Sequence, residues 1–252
     1  MTCRRKVFCE YIAALLEVGA FEDSCLNGLQ VQGNDEIKKI ATAVSPTLHV
    51  IRQAKEYKAD ALITHHGLFL KGETVPITGT LREKLHLLLA SGISLLAYHL
   101  PLDAHRTLGN NWAVARSLGW QDLQPFGAYK GVYFGVRGTM PPCTIAELAG
   151  TLERFYGQPP RVALGGPKSV TTCAILSGGA HKWIDEAADV PVDCFVTGTA
   201  DEPTWPIAFE RGIHLLAYGH AATEKIGVKL LGEQLATHFH LEQHFIDEPN
   251  PF

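Results

Sequence analysis

Short runs of apolar and β-branched residues alternate with longer helical segments over the first half of the chain. The runs typical of buried strands cover residues 39–44, 61–65 and 93–98. Between them, residues 46–57 and 81–92 carry apolar side chains at the spacing of an amphipathic helix. Strands that alternate with helices predict parallel crossovers and an α/β fold.

The pattern changes near residue 125. Residues 127–138 alternate as a hairpin or an edge strand does, and the next segment predicts a helix that begins at Thr144. Glu147, three residues further on, completes a capping box there. We therefore expect two domains, residues 1–125 and 126–252.

The second half of the chain is similar to the first. "ADALITHHG" at 59–67 is paralleled by "VDCFVTGTA" at 192–200, and "GISLLAYHLPLD" at 92–103 by "GIHLLAYGHAATE" at 212–224. Strand–helix units converge on similar composition, but a shared G-I-x-L-L-A-Y is hard to obtain that way. We predict an internal repeat, which gives two related α/β domains.

Composition narrows the class of protein. A chain of 252 residues that is 46% apolar can build a substantial core, and its net charge of −4 gives no general attraction for nucleic acid. The apolar runs are too short or too interrupted to predict a membrane span. The six cysteines form no C-x-x-C pair, which favours reduced thiols in a cytoplasmic protein.

Imidazoles and carboxylates gather where predicted strands end: His65, His66, His99, Asp103, His220 and Glu224. Ligands of an open parallel sheet collect outside the carboxyl ends of its strands. A single histidine at a strand end is more often structural, so the interpretation depends on the convergence of three strand ends. A mixed histidine and carboxylate set suits Zn, Fe, Mn or Ni.

Local spacing refines this hypothesis. His65 and His66 are adjacent, and neighbouring side chains of a strand point to opposite faces, so the pair is poorly placed for one ion and suited to two neighbouring ions. His220 and Glu224 are one helical turn apart, which suits chelation. Pro101 interrupts the similar spacing between His99 and Asp103.

Competing motifs are poor. The sequence has no Walker A motif, no G-x-G-x-x-G and no G-x-S-x-G. "LSGGA" at 176–180 offers Ser177 before two glycines, which is weak support for a nucleophile. A tight turn between strand and helix is the favoured interpretation, with anion binding as a minor alternative.

Seven segments together resemble one family, the Nif three-like proteins, also called GTP cyclohydrolase 1 type 2 proteins. The resemblance covers nearly the whole chain, at the length of the form that has no large inserted domain. The segments are "NGLQVQG" (27–33), "ITHHGLF" (63–69), "YHLPLDAH" (98–105), "LGNN" (108–111), "FVTGTADE" (195–202), "YGHAATE" (218–224) and "FIDEPNP" (245–251).

The resemblance implies two metal ions between two α/β domains and a ring-shaped homohexamer. It implies that His66 and Asp103 bind one ion. It implies that His65 and His220 bind the other ion, and that Glu224 bridges both.

Two residues stand outside this ligand set. His99 is a candidate proton carrier, because an imidazole that binds no metal titrates near neutrality; orientation of Asp103 is an equally good interpretation. Thr199 stands where the family usually has a glutamate, so the contribution of that carboxylate has no counterpart here.

These expectations favour a metal-dependent hydrolase. Two neighbouring ions can generate hydroxide at neutral pH and polarise a substrate. The substrate would be a small molecule: a purine nucleotide opened at C8, a phosphoester or an amide. The alternative is a protein that stores or senses a metal, or an oligomeric scaffold, since the family takes its name from a protein–protein interaction.

Overall fold

The computed structural model describes residues 2–252. They form two compact units, one of residues 2–102 and 227–249, the other of residues 103–226 and 250–252. The predicted boundary at residue 125 stays a prediction, and that residue lies inside a strand of the second unit. Sequence order alone does not show that the chain returns to the first unit near its end.

The described chain contains thirteen strands and ten α-helices. The strands are β1 (Cys3–Arg4), β2 (Gly28–Val31), β3 (Glu36–Ile37), β4 (Lys39–Ala43), β5 (Ala61–Thr64), β6 (Ser94–Ala97), β7 (Gln121–Tyr129), β8 (Val132–Thr144), β9 (Arg161–Leu164), β10 (Ser169–Leu176), β11 (Cys194–Thr197), β12 (His214–Ala217) and β13 (Glu242–Phe245). The helices are α1 (Arg5–Leu15), α2 (Leu48–Tyr57), α3 (Gly79–Ala90), α4 (Leu100–Ala104), α5 (Asn110–Ser117), α6 (Ile145–Tyr156), α7 (Ile184–Asp189), α8 (Thr204–Arg211), α9 (His220–Thr223) and α10 (Lys225–Phe239).

The first unit contains a five-stranded sheet in the order β13-β4-β5-β6-β2. Strands β4, β5 and β6 are parallel, as is β13 beside β4, whereas β2 pairs with β6 in the antiparallel sense. The three predicted strands and the two helices between them correspond to β4, α2, β5, α3 and β6. The α/β prediction is confirmed.

The second unit contains a six-stranded sheet in the order β7-β8-β10-β11-β12-β9. Its parallel part is β10, β11 and β12, and β7 and β8 form the predicted hairpin. The predicted capping box is also present: Glu147 N donates to Thr144 Oγ1 at 3.2 Å, and Thr144 N donates to Glu147 Oε2 at 2.8 Å. Helix α6 follows directly.

Every residue of β5, β6, β11 and β12 is buried. Strands covered on both faces read as continuous apolar runs, which is why β5 and β6 are recognisable in the sequence. Polar side chains that bind ligands must therefore lie in the loops at the ends of these strands. In those loops, side chains and backbone groups can be hydrogen-bonded.

Both sheets carry an aspartate just before their second parallel strand. Each accepts two consecutive backbone N–H groups near the start of the preceding strand, at 2.7–3.0 Å: Lys38 and Lys39 for Asp60, Thr171 and Thr172 for Asp193. The internal repeat stays a prediction, and this correspondence agrees with it.

Asp193 gives a pH-dependent test of this contact. Burial by itself would raise the pKa of Asp193, but the hydrogen bonds from Thr171 and Thr172 outweigh it and hold the pKa below its ordinary value. Because its pKa is lowered, the carboxylate stabilises the fold at pH values above its pKa in the unfolded chain, which is about 3.9. This stabilisation is lost as the pH falls through the pKa in the folded protein.

We expect Asp193→Asn to lower the free energy of unfolding at pH 7 by about 1 kcal/mol, after allowance for partial exposure. The difference from the parent should shrink as the pH falls below about 4. Urea unfolding at several pH values measures it. Glu210→Gln, on the exposed side of α8, is the control. A difference that does not change with pH would contradict the contact with the ionised carboxylate.

Candidate metal centre

Three histidines lie together in the first unit. His65 and His66 follow β5, and His99 follows β6 by two residues; because these strands are parallel neighbours, their carboxyl ends are adjacent. The ring centroid of His65 lies 5.0 Å from those of both His66 and His99. One ligand nitrogen from each ring lies within 4.8 Å of the other two, so this group could hold a metal ion.

The adjacent pair converges more closely than strand alternation predicts. Strand β5 ends at Thr64, so His65 and His66 lie in the bend that follows it. Strict alternation between opposite faces applies within a strand and does not extend to this bend. The expectation that the two rings diverge is corrected accordingly.

Each ring of the pair has a hydrogen-bond partner at Nδ1. His65 is fully buried, and its Nδ1 lies 3.1 Å from the carbonyl oxygen of Tyr98. A carbonyl only accepts, so Nδ1 donates and the neutral ring carries its lone pair on Nε2. His66 Nδ1 lies 2.8 Å from the hydroxyl of Ser45, which follows β4. Partners of this kind orient imidazoles that bind metals.

His99 is held by a carboxylate that the sequence did not reveal. Asp23 is buried, and its Oδ1 lies 3.0 Å from His99 Nδ1. The same carboxylate accepts hydrogen bonds from Asn27 Nδ2 and from the backbone N–H groups of Cys25 and Leu100, at 2.9–3.0 Å.

Burial by itself would raise the pKa of Asp23. The hydrogen bonds from His99, Asn27 and Cys25 outweigh it and hold the pKa well below its ordinary value. Asp23 is therefore ionised near neutrality, and it selects the tautomer of His99 that is protonated at Nδ1.

Asp23 belongs to no periodic segment of the sequence and to none of the segments that resemble the family. The signal that could have pointed to it is Asn27, the first residue of "NGLQVQG". Asn27 donates to Asp23, and its side-chain oxygen accepts from the backbone N–H of His99 at 2.8 Å. A short polar loop thus fixes the start of the segment that carries His99.

A cavity of about 310 Å³ opens beside the histidines of the first unit. His66 and His99 line it together with Leu68, Leu70 and Cys25. Burial raises the pKa of the Cys25 thiol to about 11. The cysteine is therefore protonated at neutral pH and contributes apolar surface, since a metal ligand or nucleophile would be a thiolate.

Asp103 lies in the second unit and is buried. Its Oδ1 accepts hydrogen bonds from Asn110 Nδ2 at 2.8 Å and from the hydroxyl of Ser177 at 3.3 Å. The N–H of Ser177 donates to Asn111 at 2.8 Å. Ser177 therefore orients a carboxylate, and Gly178 after it has a φ of +68°, which agrees with the predicted tight turn.

His220 and Glu224 also belong to the second unit, at the two ends of α9. His220 Nε2 lies 3.1 Å from Glu224 Oε1, so the predicted one-turn spacing places both groups together. Glu224 is buried, whereas the His220 side chain is 41% exposed. A Cβ on Gly178 would lie well inside van der Waals distance of Glu224 Oε1. The turn at residues 177–178 thus lies against the carboxylates of Asp103 and Glu224.

The structure therefore brings the predicted residues together as two sets. His65, His66 and His99 form one set within the first unit, and Asp103, His220 and Glu224 surround one turn in the second unit. Each set lies at the carboxyl ends of parallel strands, where such sites are expected. Which of these residues bind which ion stays a prediction.

The fold and the first set define an α/β protein whose clustered histidines could hold a metal ion. Residues 3–251 match the family described as Duf34/NIF3 (NGG1p interacting factor 3). The chain belongs to the DUF34/NIF3 family, and the resemblance seen in the sequence is confirmed.

Relatives of similar length support this membership. The GTP cyclohydrolase 1 type 2 homolog of Chlamydia pneumoniae is 47% identical, with 96% of this chain and 97% of the relative covered. Among solved structures, the protein ybgI, described as of unknown function, has a TM-score of 0.92 and 38% identity over 99% of this chain and 100% of that one. TTHA1606 from Thermus thermophilus has a TM-score of 0.91 and 37% identity, with the same coverage.

Within residues 2–252 no helix combines the length and apolar character that a bilayer crossing requires.

Gly178 offers a test of how tightly the second set is packed. We expect Gly178→Ala to lower the free energy of unfolding by about 2–3 kcal/mol, because a positive φ costs an alanine about 1 kcal/mol and Glu224 must also move. Gly131→Ala is the matched control: its φ is +81° and no atom lies within 4 Å of the added Cβ. Urea unfolding of both variants measures the difference, and equal losses would contradict the packing against Glu224.

Proposed function

We propose that this chain is a metal-dependent hydrolase with a dinuclear centre. Its ligands are the two histidines that follow β5 and the carboxylates and histidine of the second unit: His65, His66, Asp103, His220 and Glu224. His66 and Asp103 would bind one ion, His65 and His220 would bind the other, and Glu224 would bind both. This assignment follows the family resemblance.

The histidine cluster of the first unit carries the proposal. A fully buried imidazole whose Nδ1 donates to a carbonyl, as in His65, presents a lone pair at Nε2 in a fixed direction. Asp103 adds a carboxylate oriented by Asn110 and Ser177. This combination of nitrogen and oxygen donors fits Zn, Fe, Mn or Ni.

Divalent ions, when bound there, would supply the Lewis acidity that acidifies water and polarises a substrate oxygen. His99 has a separate role as a proton carrier. Asp23 keeps its Nδ1 protonated, so Nε2 exchanges the proton, and His99 lines the cavity beside His66. The carboxylate of Asp23 stabilises the imidazolium that forms when His99 accepts a proton.

The substrate is a small molecule. The cavity of about 310 Å³ beside His66 and His99 lies at the lower end of the range for small-molecule sites. Relatives bear the name GTP cyclohydrolase 1 type 2 homolog, which makes a purine nucleotide opened at C8 the first substrate to test. Phosphoesters are the second class, because two divalent ions also catalyse their hydrolysis.

A non-enzymatic metal-binding scaffold is the second candidate function. The family description names an interacting factor, which favours a role in protein association among its members. A homohexamer would suit such a scaffold and is equally compatible with the enzyme. Native mass spectrometry of the metal-loaded protein measures this oligomeric state.

Metal content tests the premise that both candidate functions share. After loading with Zn, Fe, Mn or Ni in turn and removal of unbound ion, we expect about two ions per chain for at least one metal. His65→Gln and Glu224→Gln should each lower this content, because each removes a ligand. His244→Gln, an exposed residue of β13, is the control. Occupancy well below two ions with every metal would contradict a dinuclear centre.

Turnover separates the enzyme from the scaffold. The metal-loaded protein should hydrolyse GTP or a member of a phosphoester panel, and Glu224→Ala should lower kcat/KM by about a hundredfold or more. His244→Gln again serves as the control. Full metal occupancy without turnover on the whole panel would overturn the enzyme and leave the scaffold.

Asp23→Asn tests the role given to His99. We expect kcat to fall by about a hundredfold with metal content unchanged, because an amide no longer stabilises the Nδ1-protonated ring as a carboxylate does. Nitrogen-15 NMR of the histidine rings should show the change at His99. Asp35→Asn, at an exposed ion pair with Arg4, is the control. An altered His99 signal with unchanged kcat would remove His99 from the mechanism.

A further inference from the structure

A second chain of hydrogen-bonded groups lies in the second unit and includes none of the proposed ligands. His181 stands between a hydroxyl and a carboxylate: its Nδ1 lies 2.8 Å from Thr199 Oγ1, and its Nε2 lies 3.2 Å from Asp201 Oδ2. The order hydroxyl, imidazole, carboxylate is the order of a nucleophile, its base and the group that orients the base.

Two loops at the carboxyl end of the sheet bring these residues together. His181 follows β10 after a short turn, and Thr199 and Asp201 follow β11, its parallel neighbour. The N–H of Gly198 donates to the carbonyl of Gly178 at 3.0 Å, which ties one loop to the other.

The start of helix α8 fixes the loop that carries the carboxylate. Thr204 Oγ1 accepts from the N–H of Asp201 at 3.2 Å and donates to its carbonyl oxygen at 2.6 Å. The backbone of Asp201 is therefore held from both sides, and its side chain extends to His181 from a fixed position.

The partners decide where the protons lie. An ionised Asp201 only accepts, so the neutral ring of His181 is protonated at Nε2 and carries its lone pair at Nδ1. Nδ1 then accepts the hydroxyl proton of Thr199. The hydroxyl oxygen of Thr199 is thereby polarised toward an alkoxide, which is how an adjacent base activates a weak nucleophile.

Thr199 also lines a cavity of about 350 Å³, within the range of small-molecule sites. Ala217, Tyr218 and Arg161 also line this cavity. The Arg161 guanidinium makes no ion pair or hydrogen bond with any other residue in the 2–252 range, so its charge is open to a ligand.

The same wall contains candidate donors for an oxyanion. Thr199 and Ala200 line the cavity, and their backbone N–H groups donate to no other residue of the described chain. Backbone N–H groups beside a nucleophile are the usual donors to the oxygen of a tetrahedral intermediate.

We propose that Thr199, His181 and Asp201 form a nucleophilic centre that hydrolyses small carboxylic esters bearing an anionic group. Arg161 binds the anionic group. This activity is separate from the metal-dependent hydrolysis proposed above and needs no metal ion.

The reaction proceeds in two balanced halves. Thr199 Oγ1 forms a bond to the ester carbonyl carbon while its proton passes to His181 Nδ1. The bond from that carbon to the alcohol oxygen then breaks, and the alcohol leaves with the proton from His181. Water next attacks the acyl carbon, gives a proton to His181, and displaces Thr199, which recovers its proton as the acid leaves.

Solvent limits the strength of this centre. The side chains of His181 and Asp201 are 20% and 42% exposed, so water screens their interaction. We therefore expect a modest acceleration over the buffer reaction, on the order of 10²-fold from the base.

The test uses the full chain with p-nitrophenyl acetate and the anionic ester p-nitrophenyl hemisuccinate. We expect a burst of p-nitrophenol equal to the protein concentration, and an acyl group on Thr199 located by peptide mass spectrometry. Hydrolysis by a metal-activated water leaves no acyl group on the protein, so this readout is independent of the proposed dinuclear centre.

Substitutions assign the roles. Thr199→Val should abolish the burst and the adduct, Thr199→Ser should keep both, and His181→Gln should slow the burst at least tenfold. Thr151→Val, which removes a hydroxyl from α6, should behave as the parent. Arg161→Gln should raise KM for the hemisuccinate more than it raises KM for the acetate, whereas Arg154→Gln should change neither KM.

Two results would overturn the proposal. The first is an absent burst with a folded parent chain, as judged by circular dichroism. The second is a burst and adduct that persist in Thr199→Val. If Thr199→Val fails to fold, the folded His181→Gln variant is used instead. An unchanged burst rate in that variant would show that His181 is not the base and would overturn the proposal.

Discussion

Parallel strands buried on both faces are the constraint on which the rest of this protein depends. Strands β5, β6, β11 and β12 expose none of their residues, so no polar side chain can reach solvent from within them. Polar chemistry is confined to the loops at the strand ends. Parallel pairing then places the carboxyl ends side by side, and residues far apart in sequence, such as His65 and His99, meet there.

Hydrogen bonds to the imidazole rings fix their orientation and their tautomer. Imidazoles at strand ends would otherwise be free to rotate and to change tautomer. The Tyr98 carbonyl and the Asp23 carboxylate each accept from one ring nitrogen and so determine which nitrogen carries the lone pair. In the second unit, the Asp201 carboxylate lies 3.2 Å from Nε2 of His181, which is a contact of the same kind. In both units, an oxygen acceptor thus contacts one ring nitrogen of a histidine.

The departure at Thr199 illustrates how a site changes when one residue changes. The glutamate that the family resemblance leads us to expect at this position would be a negatively charged acceptor. A threonine hydroxyl is neutral, both donates and accepts, and in this chain contacts an imidazole. The proposed nucleophilic centre depends on this contact between a hydroxyl and an imidazole.

The sequence by itself determined the α/β class, the strands that are buried on both faces and which imidazoles and carboxylates lie near the strand ends. These features depend on local periodicity and on residue type, which a linear pattern contains. Only the tertiary structure decided which partner each functional group has. It showed Asp23 beneath His99 and Ser177 beside Asp103, convergence of His65 and His66 beyond the end of β5, and the return of the last helix and strand to the first unit. The contacts of Asp23 and Ser177 join residues more than 70 positions apart through unpatterned loops, and they depend on chain packing that no local periodicity encodes.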